Sequence, residues 1–170
     1  MALLESLDLP MGTPMPAFQL PDPDEKEHSS QKLSGPKGLL VAFTCNHCPY
    51  AIAIWPQLIS LAAEAQKLGV NTVGINPNIH PDYPEDAPAK MKEKIKSWRI
   101  GFPYLVDATQ KVAGVFKAQC TPDLYLFDAK QKLVYHGRLD ELKEAISHLA
   151  SGKPIEGTQK HSMGCSIKWR

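Results

Sequence analysis

The sequence lacks an excess of charge of either sign. Lys and Arg total 19, Asp and Glu total 18, and the formal net charge is +1. A protein that tracks a nucleic-acid backbone carries a clear basic surplus, so no nucleic-acid partner is expected. Long apolar runs are missing too. No stretch reaches the about 18 apolar residues that a membrane helix requires, and no membrane partner is expected. The opening, Met1-Ala2-Leu3-Leu4-Glu5-Ser6-Leu7-Asp8-Leu9, holds two acids and no base, unlike the positive and then apolar start of a secretory signal. The expected compartment is the cytoplasm. Internal repeats and low-complexity tracts are absent. Cysteine is scarce: Cys45, Cys48, Cys120 and Cys165. A chain of 170 residues buries roughly 70% of its unfolded surface and needs no disulfide or metal staple to fold. In a reduced compartment, cysteines at special spacing point to redox or metal chemistry.

Proline is the one mild excess, 15 of 170 residues. The prolines are scattered among apolar runs and punctuate loops. Residues 1–36 are polar and Pro-rich, with Ala17-Phe18-Gln19-Leu20 as a short edge strand. Leu39-Leu40-Val41-Ala42-Phe43 is a continuous apolar run bounded by turn signals, which predicts a strand buried on both faces. Helical spacing of Ala51, Trp55, Leu58, Ala62 and Ala65 predicts a helix from about 49 to 68. Pro49 opens it, Pro56 falls inside it and Gly69 ends it. A strand follows at 71–75, then a loop over 76–88 with four prolines. Further elements are a helix at 88–99, a strand at 102–106, a short helix at 109–117, a hairpin of 123–127 with 132–136, and a helix at 140–150. The remainder, from about 151, reads as a tail. This alternation predicts a single α/β domain over residues 1–170.

The segment that carries chemistry is Cys45-Asn46-His47-Cys48, after a buried strand and at the start of a helix. Free N–H groups and the positive end of the helix dipole favour a thiolate at the first cysteine. The carboxyl end of a buried strand is where open α/β sheets place their sites. Two cysteines separated by two residues can also close a disulfide across one turn. The expected mechanism has Cys45, as the more exposed thiol, attacking a disulfide, and Cys48 resolving the mixed disulfide. His47, as an imidazolium between them, would stabilise the Cys45 thiolate and make the pair more oxidising, by about 1.4 kcal/mol for each ~30 mV. The plain alternative is a pair of inert core cysteines. Zinc needs four ligands, so Cys120, Cys165 or His47 would have to complete a site begun by the pair.

Four segments in order carry a resemblance. They are Phe43-Thr44-Cys45-Asn46-His47-Cys48-Pro49-Tyr50, Tyr83-Pro84-Glu85-Asp86-Ala87-Pro88, Cys120-Thr121-Pro122-Asp123 and Gly164-Cys165-Ser166-Ile167-Lys168-Trp169. Over roughly residues 12–170 the chain resembles the thioredoxin superfamily, in its redoxin branch of AhpC/TSA and TlpA-like proteins, and a bacterial peroxiredoxin-like group within it. The resemblance implies a thioredoxin-like fold, a central mixed β-sheet flanked by helices with an N-terminal redoxin extension. It also implies a cis proline facing the cysteine pair, at Pro122, with the backbone of Thr121 offered to substrate.

The chain departs from thioredoxin in having Thr44 before the first cysteine and Asn46-His47 between the pair. The strand Leu39 to Phe43 carries no acid. The Pro and Thr or Ser that precede a peroxidatic cysteine are absent in both registers: Val41 and Cys45 counting from Cys48, Gly38 and Ala42 counting from Cys45. The expected function is thiol–disulfide exchange through Cys45 and Cys48, with protein or small-molecule disulfides and a thiol reductant as partners. No organic cofactor and no metal is expected. Thiol peroxidase and copper chaperone are the alternatives. Cys120 and Cys165 are candidate accessory thiols. Cys120 lies two residues before Pro122, and Cys165 lies on a tail able to fold back.

Overall fold

A computed structural model describes residues 3–157 and 159–170. The strands are β1 (Leu3–Glu5), β2 (Gln19–Pro21), β3 (Glu27–Ser29), β4 (Gly38–Phe43), β5 (Val70–Asn76), β6 (Tyr104–Val106), β7 (Cys120–Thr121), β8 (Asp123–Asp128), β9 (Leu133–Gly137) and β10 (Met163–Ser166). The helices are α1 (Ser30–Leu33), α2 (Pro49–Lys67), α3 (Pro88–Ser97), α4 (Lys111–Val115) and α5 (Leu142–Ala150).

Five strands form the central sheet in the order β6-β5-β4-β8-β9. β4, β5 and β6 run parallel, while β8 and β9 are antiparallel additions. β4 is buried along its whole length, as its unbroken apolar run requires of a central strand. Its side chains alternate between two cores. Leu39, Val41 and Phe43 face a layer holding Met15, Phe18, Val112 and Phe116. Leu40 and Ala42 face Trp55, Leu58, Met91, Leu142 and Ile146 from α2, α3 and α5. The N-terminal extension thus covers one face of the sheet, and three helices cover the other. The fold is the mixed, helix-flanked sheet that the resemblance implies.

Pro49 is the first residue of α2, with Cys48 as N-cap. Pro56 lies inside a helix that continues through it. Gly69 takes a left-handed φ of 89° just past the helix, as a C-terminal glycine should.

The structure differs from the expectations at five short strands. The edge strand near residue 18 is shifted to Gln19–Pro21 and pairs with β3. The tail is not a plain tail: β10 lies between β1 and β7 in a separate three-stranded sheet. The register sets Leu3 opposite Cys165 and Cys165 opposite Thr121. Met163-Gly164-Cys165-Ser166 has no β-branched residue and no alternation. It is a strand because of its long-range partners, not its local propensity.

Candidate active site

β4 delivers the chain to the edge of the sheet, where Thr44 N–H donates to Ile75 O at 2.9 Å. Cys45, Asn46 and His47 then form the turn into α2. The turn is pinned from both sides. Trp55, one helical face further on, donates its indole N–H to Cys45 O at 3.1 Å. From the other side, Asp86 Oδ1 accepts from Asn46 N–H at 2.6 Å.

Asp86 is fully buried, and a buried carboxylate needs partners. Its Oδ1 also accepts from Asn76 Nδ2 at 3.0 Å, and its Oδ2 pairs with His47 Nδ1. Asn46 is held further by Glu85 O at 2.9 Å and by the Tyr104 hydroxyl, which donates to Asn46 Oδ1 at 2.9 Å. Asp86 and Glu85 come from a short 3-10 turn, Pro84–Asp86, inside the Pro-rich loop that follows β5. Asp86 has no role among the expectations from sequence. The signal was available: β5 is the parallel neighbour of β4, so the loop leaving β5 emerges at the same end as the cysteine turn.

His47 is charged at neutral pH. Burial lowers its pKa, but the Asp86 hydrogen bond, the Cys45 sulfur and the Asp86 charge outweigh it and raise the value to about 9. The ring stacks on Tyr83 with centroids 4.5 Å apart. Lys168 Nζ in turn lies over the Tyr83 ring, 5.7 Å from its centroid. His47 Nε2 is buried and has no hydrogen-bond partner among the described residues. Ligand atoms of Cys45, His47 and Asp86 lie within 4.8 Å of one another, and among the described residues this is the group that could hold a metal ion.

The sulfurs gather around Thr121. Cys45 Sγ shares a hydrogen bond with Thr121 Oγ1 at 3.3 Å. Cys48 Sγ lies 3.4 Å from Thr121 O. Cys165 sits opposite Thr121 across the β10–β7 pair. The Thr121–Pro122 peptide bond is cis. Cys45, Cys48, Cys165 and Ala51 form one buried cluster.

Three expectations are corrected here. The disulfide joins Cys48 to Cys165, with Cα atoms 6.2 Å apart, and Cys45 is free. Cys45 is not the more exposed thiol, because both cysteines of the motif are fully buried; the folded-back tail packs Cys165 against them. Among the described residues the Cys45 sulfur shares its hydrogen bond with the Thr121 hydroxyl rather than with an N–H of the helix start.

Cys120 is buried but stays outside the cluster. Successive side chains of a strand point to opposite faces, and its thiol donates to Pro122 O at 3.7 Å. Burial first, and the Asp123 charge second, push the thiol far above its ordinary range, which leaves it unreactive. Asp123 itself is buried and pairs with His136 Nε2 at 2.7 Å.

A family model described as the AhpC/TSA family matches residues 11–136. Curated proteins give no match to the sequence. The chain is similar to an uncharacterized conserved protein from Geobacillus kaustophilus, with 36% identity and a TM-score of 0.97 over 100% of this chain and 97% of that one. It is also similar to a hypothetical protein from Sinorhizobium meliloti 1021, with 34% identity and a TM-score of 0.94 over 98% of both chains. The thioredoxin domain of a thiol-disulfide oxidoreductase from Bacteroides vulgatus shares the fold, with a TM-score of 0.70 at 18% identity over 84% of this chain and 99% of that one.

Proposed function

The chain belongs to the AhpC/TSA family, in the redoxin branch of the thioredoxin superfamily, and from that premise we propose that it is a thiol–disulfide oxidoreductase working through Cys45 and Cys48. Its substrates are protein or small-molecule disulfides, and a thiol reductant restores it. The observation that supports this reading is the convergence of both sulfurs on Thr121, beside a charged His47 held by Asp86.

Cys45 as thiolate attacks one sulfur of the substrate disulfide and expels the other half as a thiolate. Cys48 as thiolate then attacks the Cys45 sulfur and expels the first half. Two electrons leave the protein dithiol, two substrate thiols form, and Cys45–Cys48 is the new disulfide. The His47 imidazolium supplies positive charge where sulfur carries negative charge in both steps. Asp86 keeps the ring oriented and charged, and Thr121 and Pro122 line the place where the incoming disulfide must lie. Since Cys45 is buried, substrate enters only after a local opening.

The test is a redox titration of the Cys165→Ser variant in thiol/disulfide buffers, with mass-spectrometric mapping. A reversible two-electron Cys45–Cys48 couple is expected. A potential near about −270 mV would mark a reductant and one near about −120 mV an oxidant. Absence of the couple would overturn the reading.

One further observation favours a second reading, Cu(I) binding as a copper chaperone. Soft thiolates suit Cu(I), and Cys45, His47 and Asp86 lie in one cluster of metal-ligand type. Copper retained by protein purified without chelator, and lost in Cys45→Ser, would support it. For the thiol peroxidase alternative, the sign is a sulfenic acid formed with stoichiometric peroxide.

A further inference from the structure

We propose that Cys165 is the third thiol of a relay, to which Cys48 passes its bond so that Cys45 is set free before any reductant arrives. This rests on the Cys45–Cys48 reading above. It is carried by the pairing in the structure: Cys48 is bonded to Cys165 while Cys45, in the same buried cluster, is a free thiol.

A relay needs the third sulfur in place before the bond forms. β10 is fixed by contacts that do not involve sulfur. It pairs with β1 on one side and β7 on the other. Beyond it, Ile167 N–H donates to Gln119 O at 3.0 Å, and Lys168 N–H donates to Asn78 Oδ1 at 2.9 Å. Gln110 Nε2 donates to Lys168 O at 2.7 Å, and its Oε1 accepts from Arg170 N–H at 2.9 Å. Before it, Ser6 N–H donates to Ser162 O at 3.0 Å. Gly164 allows the close approach, because a Cβ there would overlap the Thr121 carbonyl. The reduced Cys165 thiol is therefore held opposite Thr121, the residue that both other sulfurs touch.

The step is an exchange within the protein. Cys165 gives its proton to solvent and attacks the Cys48 sulfur of the Cys45–Cys48 disulfide. The Cys45–Cys48 bond breaks, the Cys48–Cys165 bond forms, and Cys45 leaves as a thiolate facing the His47 imidazolium. No net oxidation occurs. One disulfide and one thiol stand on each side. The consequence is a division of labour: the substrate disulfide meets Cys45, and the thiol reductant meets the buried Cys48–Cys165 bond after a local opening.

The experiment starts from the fully reduced full chain. It receives one equivalent of hydroxyethyl disulfide, is quenched in acid at successive times, and its disulfides are mapped by mass spectrometry. The expected order is a mixed disulfide on Cys45, then Cys45–Cys48, then Cys48–Cys165 as the end product, in about tenfold excess over Cys45–Cys48. Cys165→Ser should halt at Cys45–Cys48. Gly164→Ala, which keeps all three cysteines, should slow the last step more than the first. Cys45–Cys48 persisting in the natural chain would overturn the relay alone. So would Cys48–Cys165 forming equally fast in Cys45→Ser. Absence of any Cys45 adduct, in the natural chain and in Cys165→Ser, would instead overturn the Cys45–Cys48 reading beneath it.

Discussion

His47 and Asp86 set the charge of the site. A buried imidazole alone would lose its proton more readily than in water. Here the Asp86 partner, together with the Cys45 sulfur, reverses the direction and carries the His47 pKa to about 9. The folded value lies above the unfolded one, about 6.5. The pairing therefore stabilises the fold fully below that pH, and the contribution is lost as pH rises through about 9. Asp86→Asn keeps the shape and removes the charge. The His47 protonation midpoint should fall toward 6.5 in an NMR titration, leaving about tenfold less imidazolium at pH 8. Alkylation of Cys45 at that pH should slow with it, after reduction of the protein. An unchanged midpoint would show that Asp86 does not hold the charge. His47 was legible as a modulating residue from its place between the cysteines. Asp86 was not, because it lies 39 positions from His47 and only the parallel β4–β5 neighbours bring the two loops together.

Elements with their own periodicity could be read from the sequence, and elements defined by a partner could not. β4, α2 and the β8–β9 hairpin each carry an apolar pattern long enough to fix face and type. β1, β7 and β10 have 3, 2 and 4 residues, too few for a pattern, and exist through pairing. That is why the cysteine motif and Pro122 could be located while the Cys48–Cys165 bond could not. The β8–β9 hairpin also buries a polar pair that alternation does not announce. Asp123 accepts from His136 and from the Tyr125 hydroxyl at 3.0 Å, while the His136 ring stacks on Tyr125 at 4.1 Å. Removing one member of a buried pair is costly, whereas replacing both is mild. His136→Leu should lower unfolding free energy by about 3–5 kcal/mol in urea titrations. Adding Asp123→Leu to it should restore most of that loss. A double variant as weak as the single one would count against the pair as the cause.

For the whole molecule, the position of the disulfide decides how much of the chain it constrains. A Cys45–Cys48 bond closes a turn, and it removes little freedom from the unfolded chain. The Cys48–Cys165 bond spans 117 positions and ties the C-terminal strand to the start of α2, with most of the central sheet between them. On the chain-entropy account the long loop is worth about 4–5 kcal/mol and the short one about 2 kcal/mol. Passing the bond from one pair to the other therefore makes the oxidised fold more resistant to unfolding, because the longer crosslink restricts the unfolded chain more. Urea unfolding with and without a thiol reductant measures this. The natural chain should lose about 4–5 kcal/mol on reduction, and Cys165→Ser, oxidised to Cys45–Cys48, should lose about 2 kcal/mol. Equal losses in the two proteins would mean that the long crosslink adds nothing to the fold. The direction of the exchange is set within the folded state in either case, by the charge of His47 on the departing Cys45 and by the strand pairing that holds Cys165 opposite Thr121.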